Sequence, residues 1–366
     1  MAAFDVLIAG AGPAGAAAAR TLATLAPELR VAVVARAPMR RSCGEVLSPL
    51  VQPVLRQLGL WSAFLAEGFA PSHRTLTAWG DAALRSSELL LEARGPAWRV
   101  DRACFDGWIA SQACRAATRI DAKVVDLDHQ ADGWSVDCGE GGRHSARLVI
   151  DATGRANALA HRQGPRTMAR DRLVAAYAEA ADRGQATPEL LVEAFDDGWW
   201  YTVALGEGRR VFVCMTDTDI AHRLGLSTLR GWRTALDKTR FASAIARRAE
   251  RIEHPLVVPA GGRYSATPVG FRFLCAGDAA SAFDPISGHG VVKAMRSGIF
   301  AAYAAGDCLV RKDDTALERY SAWIAREAAA YEAALREQYG REPRWAERPF
   351  WRRRRAAILF DDFSDQ

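Results

Sequence analysis

A glycine-rich turn lies between two apolar stretches near the start of the chain. Residues 6–8 form a short apolar run that is typical of a buried parallel strand. An alanine-rich stretch at about 14–25 predicts a helix, and residues 31–35 form a second apolar strand. The turn between the first strand and the helix has the spacing G-x-G-x-x-G, with Gly10, Gly12 and Gly15. This order of elements predicts a dinucleotide-binding unit, in which the helix N-terminus faces a pyrophosphate.

Each glycine of the turn has its own predicted role. Gly10 permits the tight turn, Gly12 leaves the backbone open to the pyrophosphate, and Gly15 allows the helix and the strand to pack closely. Pro13 and Ala14 lie between them and are assigned to the same cofactor-binding turn.

The end of the second strand departs from this pattern. In such units a carboxylate about 20 residues beyond the last glycine binds the adenosine ribose. Ala35 stands there instead and is followed by Arg36. We therefore expect Arg36 to contact the adenine or a phosphate, and we expect the missing carboxylate to affect how tightly the nucleotide binds.

Length, charge and cysteine content restrict the class of protein. A chain of 366 residues predicts one large two-part domain or two domains. The net charge of +5 is small and dispersed, so no nucleic-acid partner is expected. The seven cysteines include no C-x-x-C pair, so neither a disulfide framework nor a metal site is predicted. No apolar run is long enough to span a membrane, and the first strand begins too early to leave room for a signal peptide, so a cytoplasmic location is expected.

Residues just beyond the second strand are candidates for the same site. Arg41 and Gly44 are assigned to the cofactor-binding set. Glu45 is interpreted either as a group that reaches the ring end of a cofactor or as a carboxylate at the start of a helix spanning 47–60.

The middle of the chain changes from mixed elements to successive strands. Asp101-Arg102 precedes a predicted helix at 103–117, and a strand at 147–150 leads to a turn, Asp151-Ala152-Thr153-Gly154. Antiparallel strands are predicted at 75–79, 88–91, 173–179, 190–195, 199–205 and 210–216, with a hairpin at 123–127 and 133–138. A helical stretch at 227–251 follows them.

A second glycine-rich region follows a buried strand at 271–276. It contains Gly277-Asp278, Asp284-Pro285 and Gly288-His289-Gly290, and a long helix is predicted at 291–310. The remaining chain is predicted to be helical, and its basic run, Arg352 to Arg355, is typical of a solvated helix face.

These motifs, in this order, resemble the FAD-dependent oxidoreductases of the p-hydroxybenzoate hydroxylase type, which include aromatic monooxygenases, flavin-dependent halogenases and geranylgeranyl reductases. The resemblance implies an α/β fold: a Rossmann-like FAD-binding domain, an inserted antiparallel β-sheet substrate domain and a helical C-terminus. The boundaries that we predict are 1–70, 96–165 and 256–310 for the FAD-binding domain, 71–95 and 166–255 for the substrate domain, and 311–366 for the C-terminal segment.

The resemblance also implies roles for individual residues around FAD. Asp278, which follows Gly277, accepts hydrogen bonds from the ribityl chain, and Arg102 lies near the pyrophosphate or the ribityl group. The segment from Pro285 through Gly288 to Gly290 lines the isoalloxazine ring. The helix that begins near Gly290 directs its N-terminus at the N1–C2=O region and stabilises the negative charge of reduced flavin.

Two departures from family patterns narrow the activity. Halogenases of this type carry a lysine between the first two motifs, and this chain has no lysine before Lys123. Their W-x-W-x-I-P segment is matched only in part, with Tyr201 and Ala204 in place of the second tryptophan and the proline. Halogenation is therefore not expected. The turn after Asp151 also lacks the Asp-Gly motif that handles NADPH in single-component hydroxylases, so we expect a separate flavin reductase to supply the electrons, with direct use of NAD(P)H as the alternative.

A narrower resemblance is to halogenase-like flavoproteins that mature cysteine tryptophylquinone enzymes, in which hydroxylation of a tryptophan in a partner protein is implied. This narrower resemblance rests on the segments 41–45, 198–201 and 344–353. We therefore predict hydroxylation of an electron-rich aromatic group, free or in a partner protein, through a flavin C4a-hydroperoxide. His289 and Glu45 are the candidate catalytic residues. His289 is otherwise a helix-start histidine bound to a backbone carbonyl.

The candidate substrate wall is aromatic and contains Trp199, Trp200 and Tyr201. Alternation along a strand places Trp199 and Tyr201 on one face and Trp200 on the other, so at least one belongs to the core. Two other functions remain open: reduction of a carbon–carbon double bond, as in geranylgeranyl reductases, and a flavoprotein binding partner with little turnover alone, docking through its C-terminus.

Overall fold

A computed structural model describes residues 2–36, 44–88, 95–159, 167–182, 190–313 and 315–356. The predicted site residue Arg41 lies outside these ranges. The chain forms two compact units. Unit 1 comprises Met1–Pro71, Arg94–Asp171 and Gly261–Ala329, and unit 2 comprises Ser72–Ala93, Arg172–Ala260 and Ala330–Gln366.

The bounds of the elements are as follows. The helices are α1 (Pro13–Leu25), α2 (Val51–Gln57), α3 (Trp61–Ala66), α4 (Arg102–Cys114), α5 (Thr218–Leu224), α6 (Leu229–Leu236), α7 (Phe241–Ala246), α8 (Gly290–Leu309), α9 (Ala316–Gly340) and α10 (Pro349–Arg355). The strands are β1 (Ala3–Ala9), β2 (Val31–Val34), β3 (Gly44–Leu47), β4 (Ala70–Ser72), β5 (Arg74–Ala78), β6 (Arg85–Glu88), β7 (Ala97–Asp101), β8 (Thr118–Ile120), β9 (Asp126–Gln130), β10 (Gly133–Asp137), β11 (Arg143–Asp151), β12 (Thr167–Ala169), β13 (Leu173–Ala181), β14 (Leu190–Phe195), β15 (Gly198–Gly206), β16 (Arg209–Asp217), β17 (Arg251–Ile252), β18 (Leu256–Pro259), β19 (Arg263–Ser265), β20 (Val269–Gly270), β21 (Phe273–Cys275) and β22 (Ser281–Ala282).

The main sheet of unit 1 has the strand order β20–β21–β11–β1–β2–β8, and the hairpin β9–β10 is attached to β11. β1 pairs in parallel with β2 and β11, and its residues 6–8 have no exposed surface, as expected for a strand covered on both faces. Ala9 pairs with Asp151, and Asp151 pairs with Cys275, so three parallel strands end at the same level. The sheet therefore brings the turns that follow β1, β11 and β21 to one edge.

Helices α1 and α8 pack against each other through small side chains. A Cβ atom on Gly298 would lie 2.0 Å from the carbonyl oxygen of Ala14, so this approach requires glycine. A Cβ atom on Gly277 would lie 2.8 Å from the Cβ of Ala14 and 3.4 Å from that of Ala294. The start of α1, the turn after β21 and the first turns of α8 are therefore held together.

Unit 2 is built on a mostly antiparallel sheet of order β17–β13–β16–β15–β14–β5–β6, and β18 also pairs with β13. Helices α5, α6 and α7 contribute to a buried core with one face of this sheet, and that core includes Trp200, Phe212 and Trp232. Together the two units confirm the predicted α/β class with a parallel-sheet part and an antiparallel-sheet part.

The C-terminal helix α10 is folded into unit 2. Phe350 and Trp351 are fully buried, and the Trp351 indole donates a hydrogen bond to the Phe195 carbonyl at 2.9 Å. Arg354 pairs with Asp217 at 2.8 Å, and both side chains are 2% exposed. The prediction of a solvated basic face is therefore wrong for Arg354, because its guanidinium pairs with a buried carboxylate. Arg352 is exposed, as predicted.

Two predicted elements differ from the observed ones. The helix predicted at 47–60 begins only at Val51, because Gly44–Leu47 pairs with Ala97–Asp101 as an antiparallel strand. The helical stretch predicted at 227–251 is two short helices, α6 and α7, separated by a break at residues 237–240. Within the described ranges, no helix combines the length and apolar character needed to cross a membrane.

Candidate cofactor and active site

The turn after β1 has three glycines in three different environments. Gly10 has a φ of +105°, and a Cβ there would lie 2.3 Å from the Ala152 carbonyl oxygen. A Cβ on Gly15 would lie 1.9 Å from the Gly10 carbonyl oxygen, so the backbone of the helix approaches the turn too closely for any side chain here. A Cβ on Gly12 would meet no atom of the described residues within 4 Å. Gly10 and Gly15 are thus required by the protein itself, whereas the space beside Gly12 is open.

The N-terminus of α1 is free of competing side chains. Gly12 is its N-cap, Pro13 opens the helix, no side chain of the described residues caps it, and its first turn has no acidic residue. Ala14 is buried and packs on α8. At this point the unbonded N–H groups and the positive end of the helix dipole can bind an anionic group.

The second strand ends without an acceptor for the ribose. Ala35 continues the edge of the sheet, because its N–H donates to the Ile120 carbonyl at 3.1 Å. Arg36 follows it and is exposed. The predicted contact of Arg36 with adenine or a phosphate therefore stays a prediction.

The Gly277–Asp278 turn is fixed from beneath by a buried hydrogen-bond chain. Gly277 has a φ of +65°, and its N–H donates to the Ser297 hydroxyl at 2.9 Å. The Tyr320 hydroxyl lies 2.9 Å from that of Ser297 and donates to the Cys275 carbonyl at 2.7 Å. Helices α8 and α9 thus position the end of β21 and the carboxylate that follows it.

Asp278 lies between two cations. Its Oδ1 accepts from Lys293 Nζ at 2.9 Å, and its Oδ2 lies 3.6 Å from Arg155 Nε. Burial alone would raise the pKa of Asp278, but the charges of Lys293 and Arg155 outweigh burial and hold the pKa of this carboxyl below its ordinary value. Asp278 is therefore ionised and is available as an acceptor.

Arg102 is shared by two carboxylates. Its Nη1 donates to Glu45 at 2.6 Å, and its Nη2 donates to Asp106 at 3.1 Å. Burial raises the pKa of the Asp106 carboxyl above its ordinary value, although Arg102 opposes this. Gly44 pairs with Asp101, so strand pairing of β3 with β7 brings Glu45 to Arg102. Glu45 is thus a strand residue held by an arginine, and the alternative of a helix-start carboxylate is wrong.

The start of α8 is open on the side of its glycines. Among the residues that the structure describes, neither Gly288 nor Gly290 would place a Cβ within 4 Å of another atom, and Pro285 begins a short helical turn just before them. His289 is the N-cap of α8, but within the described ranges no side chain caps this helix, and its first turn has no acidic residue. Within the described part of the chain, the His289 imidazole has no hydrogen-bond partner, so the alternative of a ring bound to a backbone carbonyl is not observed. Although His289 is exposed, neighbouring protein atoms desolvate its ring and lower its pKa from the ordinary value.

The three aromatic residues predicted as a substrate wall lie in unit 2, on two faces of β15. Trp200 has no exposed surface and packs edge-on against Trp232 at 5.1 Å, so it belongs to the core. Trp199 is 2% exposed and donates to the Tyr339 hydroxyl at 3.1 Å. Tyr201 is half-buried, with its ring 6.0 Å from that of Trp199. Of the three, only Tyr201 keeps accessible surface.

Two charged residues of the site, Arg155 and Lys293, were not predicted from the sequence. Arg155 donates to the carbonyls of Gly261 at 2.6 Å and Phe283 at 3.1 Å, in addition to its contact with Asp278. Lys293 is a charged residue in the otherwise apolar first turn of α8, and this departure from the apolar pattern could have identified it from the sequence. Arg155 follows the glycine turn after β11, which is a weaker signal.

These residues fit FAD. The open space beside Gly12 and the uncapped α1 suit a pyrophosphate, and the ionised Asp278 suits a polyhydroxylated chain. The uncapped start of α8, beside two open glycines, suits the part of a flavin ring that becomes negatively charged on reduction.

Comparisons with known proteins agree with this assignment. The model of the FAD binding domain family matches residues 3–333. The protein LodB of Marinomonas mediterranea, whose name describes a FAD-dependent oxidoreductase, is 29% identical over 97% of this chain and 98% of its own length.

Two solved structures share the fold. The myxobacterial chondrochloren halogenase CndH has a TM-score of 0.86 and 20% identity, covering 99% of this chain and 88% of that chain. The peptidyl tryptophan dihydroxylase QhpG, described as essential for tryptophylquinone cofactor biogenesis, has a TM-score of 0.73 and 24% identity, covering 96% and 79%. The chain belongs to the FAD binding domain family and is a FAD-dependent oxidoreductase.

Proposed function

We propose that this oxidoreductase is a monooxygenase that hydroxylates an electron-rich aromatic group, and that its substrate is the indole of tryptophan, free or within a partner protein. The observation that carries the proposal is His289. Its imidazole stands unpartnered, among the described residues, between two open glycines at the start of α8. A proton-transfer group thus lies where the flavin ring is assigned.

Bound FAD would supply electron storage and the activation of O2, and the protein must supply orientation, proton transfer and protection from water. Desolvation by neighbouring protein atoms lowers the pKa of His289, so the ring is neutral at pH 7 and can accept a proton, which the resulting imidazolium can then return. His289 is therefore proposed to move a proton at the reacting centre.

Glu45 has a different proposed role. Arg102 holds its carboxylate at 2.6 Å and is itself held by Asp106, so Glu45 cannot move freely toward a substrate. We assign Glu45 and Arg102 to positioning at the cofactor site. The start of α8 would stabilise negative charge on the reduced cofactor, because no acidic residue opposes it in that first turn.

The substrate class is supported by the relatives and by Tyr201. QhpG is named for action on a peptidyl tryptophan, and LodB matches this chain over almost its full length. Tyr201 offers a half-buried phenol ring that can stack with an indole. The partner in this proposal is a tryptophan-bearing protein, with electrons supplied by NAD(P)H or a separate flavin reductase.

The test uses the FAD-loaded protein, chemically reduced so that no electron donor must be known. It is mixed with air and with indole, tryptophan or a tryptophan-containing peptide, and the products are identified by mass spectrometry. We expect a hydroxylated product that falls at least tenfold in His289→Gln and is unchanged in His222→Gln, an exposed histidine on α5. Reduction of an alkene substrate without O2 uptake would instead support the double-bond reductase function. Equal activity of both variants would remove His289 from the mechanism.

A further inference from the structure

Lys293 is a buried cation at the positive end of a helix. It lies in the first turn of α8 and is 5% exposed. A cation at a helix N-terminus is opposed by the helix dipole, and a buried charge also loses its hydration. Its presence there requires compensating contacts.

Those contacts all lie in the segment that follows Gly277. The Lys293 ammonium donates to Asp278 Oδ1 at 2.9 Å and also donates to the Ser281 carbonyl. It lies 4.8 Å from the centre of the Phe283 ring, over its face. Lys293 thus ties the start of α8 to the turn that presents Asp278.

The other charged groups around Asp278 would persist without Lys293. Arg155 lies 3.6 Å from its second oxygen, and Arg102, which is paired with Glu45 and Asp106, also acts on it. Asp278 therefore keeps Arg155 and Arg102 as neighbouring cations when Lys293 is neutralised. Such a substitution removes one positive charge beside the start of α8 and does not remove the carboxylate.

We propose that Lys293 is a positioning residue that raises the reduction potential of bound FAD. Its positive charge adds to that of the α8 N-terminus and favours the reduced, negatively charged cofactor, and its contacts hold Asp278 in place. The proposal deepens the proposed function, since it rests on the same FAD site. A reduction potential can be measured whether or not the protein hydroxylates any substrate, so the two can fail separately.

The experiment compares four variants of the full chain loaded with FAD. Lys293→Met removes the charge, Lys293→Gln removes it but keeps a hydrogen-bond donor, and Lys293→Arg keeps it. Arg296→Met removes a positive charge from the same helix, but at a side chain that is 44% exposed and paired with Glu327. The readouts are the midpoint potential, from equilibration with a redox dye, and the FAD dissociation constant, from fluorescence quenching.

We expect Lys293→Met and Lys293→Gln to lower the midpoint potential by about 30 mV or more, a tenfold change in the ratio of oxidised to reduced flavin for a two-electron couple. Lys293→Arg and Arg296→Met should stay near the wild-type potential. If the neutral variants bind FAD with the wild-type potential, the proposal is wrong. It is equally wrong if neither neutral variant folds while Lys293→Arg does, because Lys293 then has only a structural role.

Discussion

Alanine substitutions at Gly12 and Gly15 should affect different properties. Gly15→Ala should lower the stability of the fold, and Gly12→Ala should weaken cofactor binding. In Gly15→Ala the new methyl would lie 1.9 Å from the Gly10 carbonyl oxygen and 3.3 Å from the Ile8 side chain. A backbone oxygen cannot rotate away, so α1 must shift by about 1 Å against a close-packed sheet. Overpacking of this kind costs about 3 kcal/mol, and the better helix propensity of alanine returns about 1 kcal/mol, which leaves a loss of about 2 kcal/mol in the free energy of unfolding.

Gly12→Ala should leave the fold intact and weaken FAD binding. Gly12 has a φ of −68° and a ψ of −173°, which alanine adopts without strain, and its methyl would meet no protein atom within 4 Å. The cost to stability should stay below about 1 kcal/mol. The methyl would occupy the approach of the pyrophosphate, so we expect at least a tenfold loss of FAD affinity, about 1.4 kcal/mol.

The assay combines urea unfolding of the apoprotein with fluorescence titration of FAD. Gly340→Ala is the matched control, because Gly340 ends α9, lacks a positive φ and would place no Cβ near a protein atom. Wild-type FAD affinity in Gly12→Ala would refute the assignment of the pyrophosphate to this turn. Wild-type stability in Gly15→Ala would refute the close approach of helix and strand.

Three further predictions concern groups outside this turn. Arg354→Met removes one of the two arginines that pair with the buried Asp217 carboxylate and leaves Arg353 at 2.7 Å, so it should cost about 1–3 kcal/mol in urea unfolding, whereas the exposed Arg352→Met should be near neutral; similar values for the two would contradict a buried pair. Tyr320→Phe removes the hydroxyl that bonds the Cys275 carbonyl and should cost about 1–3 kcal/mol in thermal unfolding, and no loss of stability would contradict its role in the turn. The pKa of His289 in the folded protein lies below its ordinary 6.5, so the unfolded chain takes up the proton first as the pH falls. The stability of the wild type should therefore decline below about pH 6.5 relative to that of His289→Gln. Parallel pH profiles of stability would contradict this.

The parts of the fold that the sequence predicts are those set by local chemistry. An apolar run before a glycine turn indicates a buried parallel strand, and the stretches that follow the two glycine-rich regions indicate helices. β1, α1 and α8 lie where predicted within a few residues. The alternation of Trp199, Trp200 and Tyr201 also predicts that at least one belongs to the core, and the structure buries both Trp199 and Trp200.

Contacts between residues far apart in sequence were not predictable in the same way. Glu45 meets Arg102 only because β3 pairs with β7, and a short strand there has no periodic signal that distinguishes it from the start of a helix. Arg354 looks like part of a solvated basic run until the position of Asp217 is known. The domain boundaries, the cofactor contacts and the catalytic role of His289 stay predictions. The cofactor contacts and the role of His289 depend on bound ligands, which the chain alone does not specify.

The central claim is the transfer of an oxygen atom from O2 to an indole. The most direct test is to expose the reduced, FAD-loaded protein to isotopically labelled O2 in the presence of a tryptophan-containing peptide, and to measure the label in the peptide by mass spectrometry. We expect a labelled hydroxyl on the indole ring, with one oxygen atom from O2 in each hydroxyl group formed. A peptide that stays unlabelled while the flavin is reoxidised, under conditions in which the peptide binds, would contradict it.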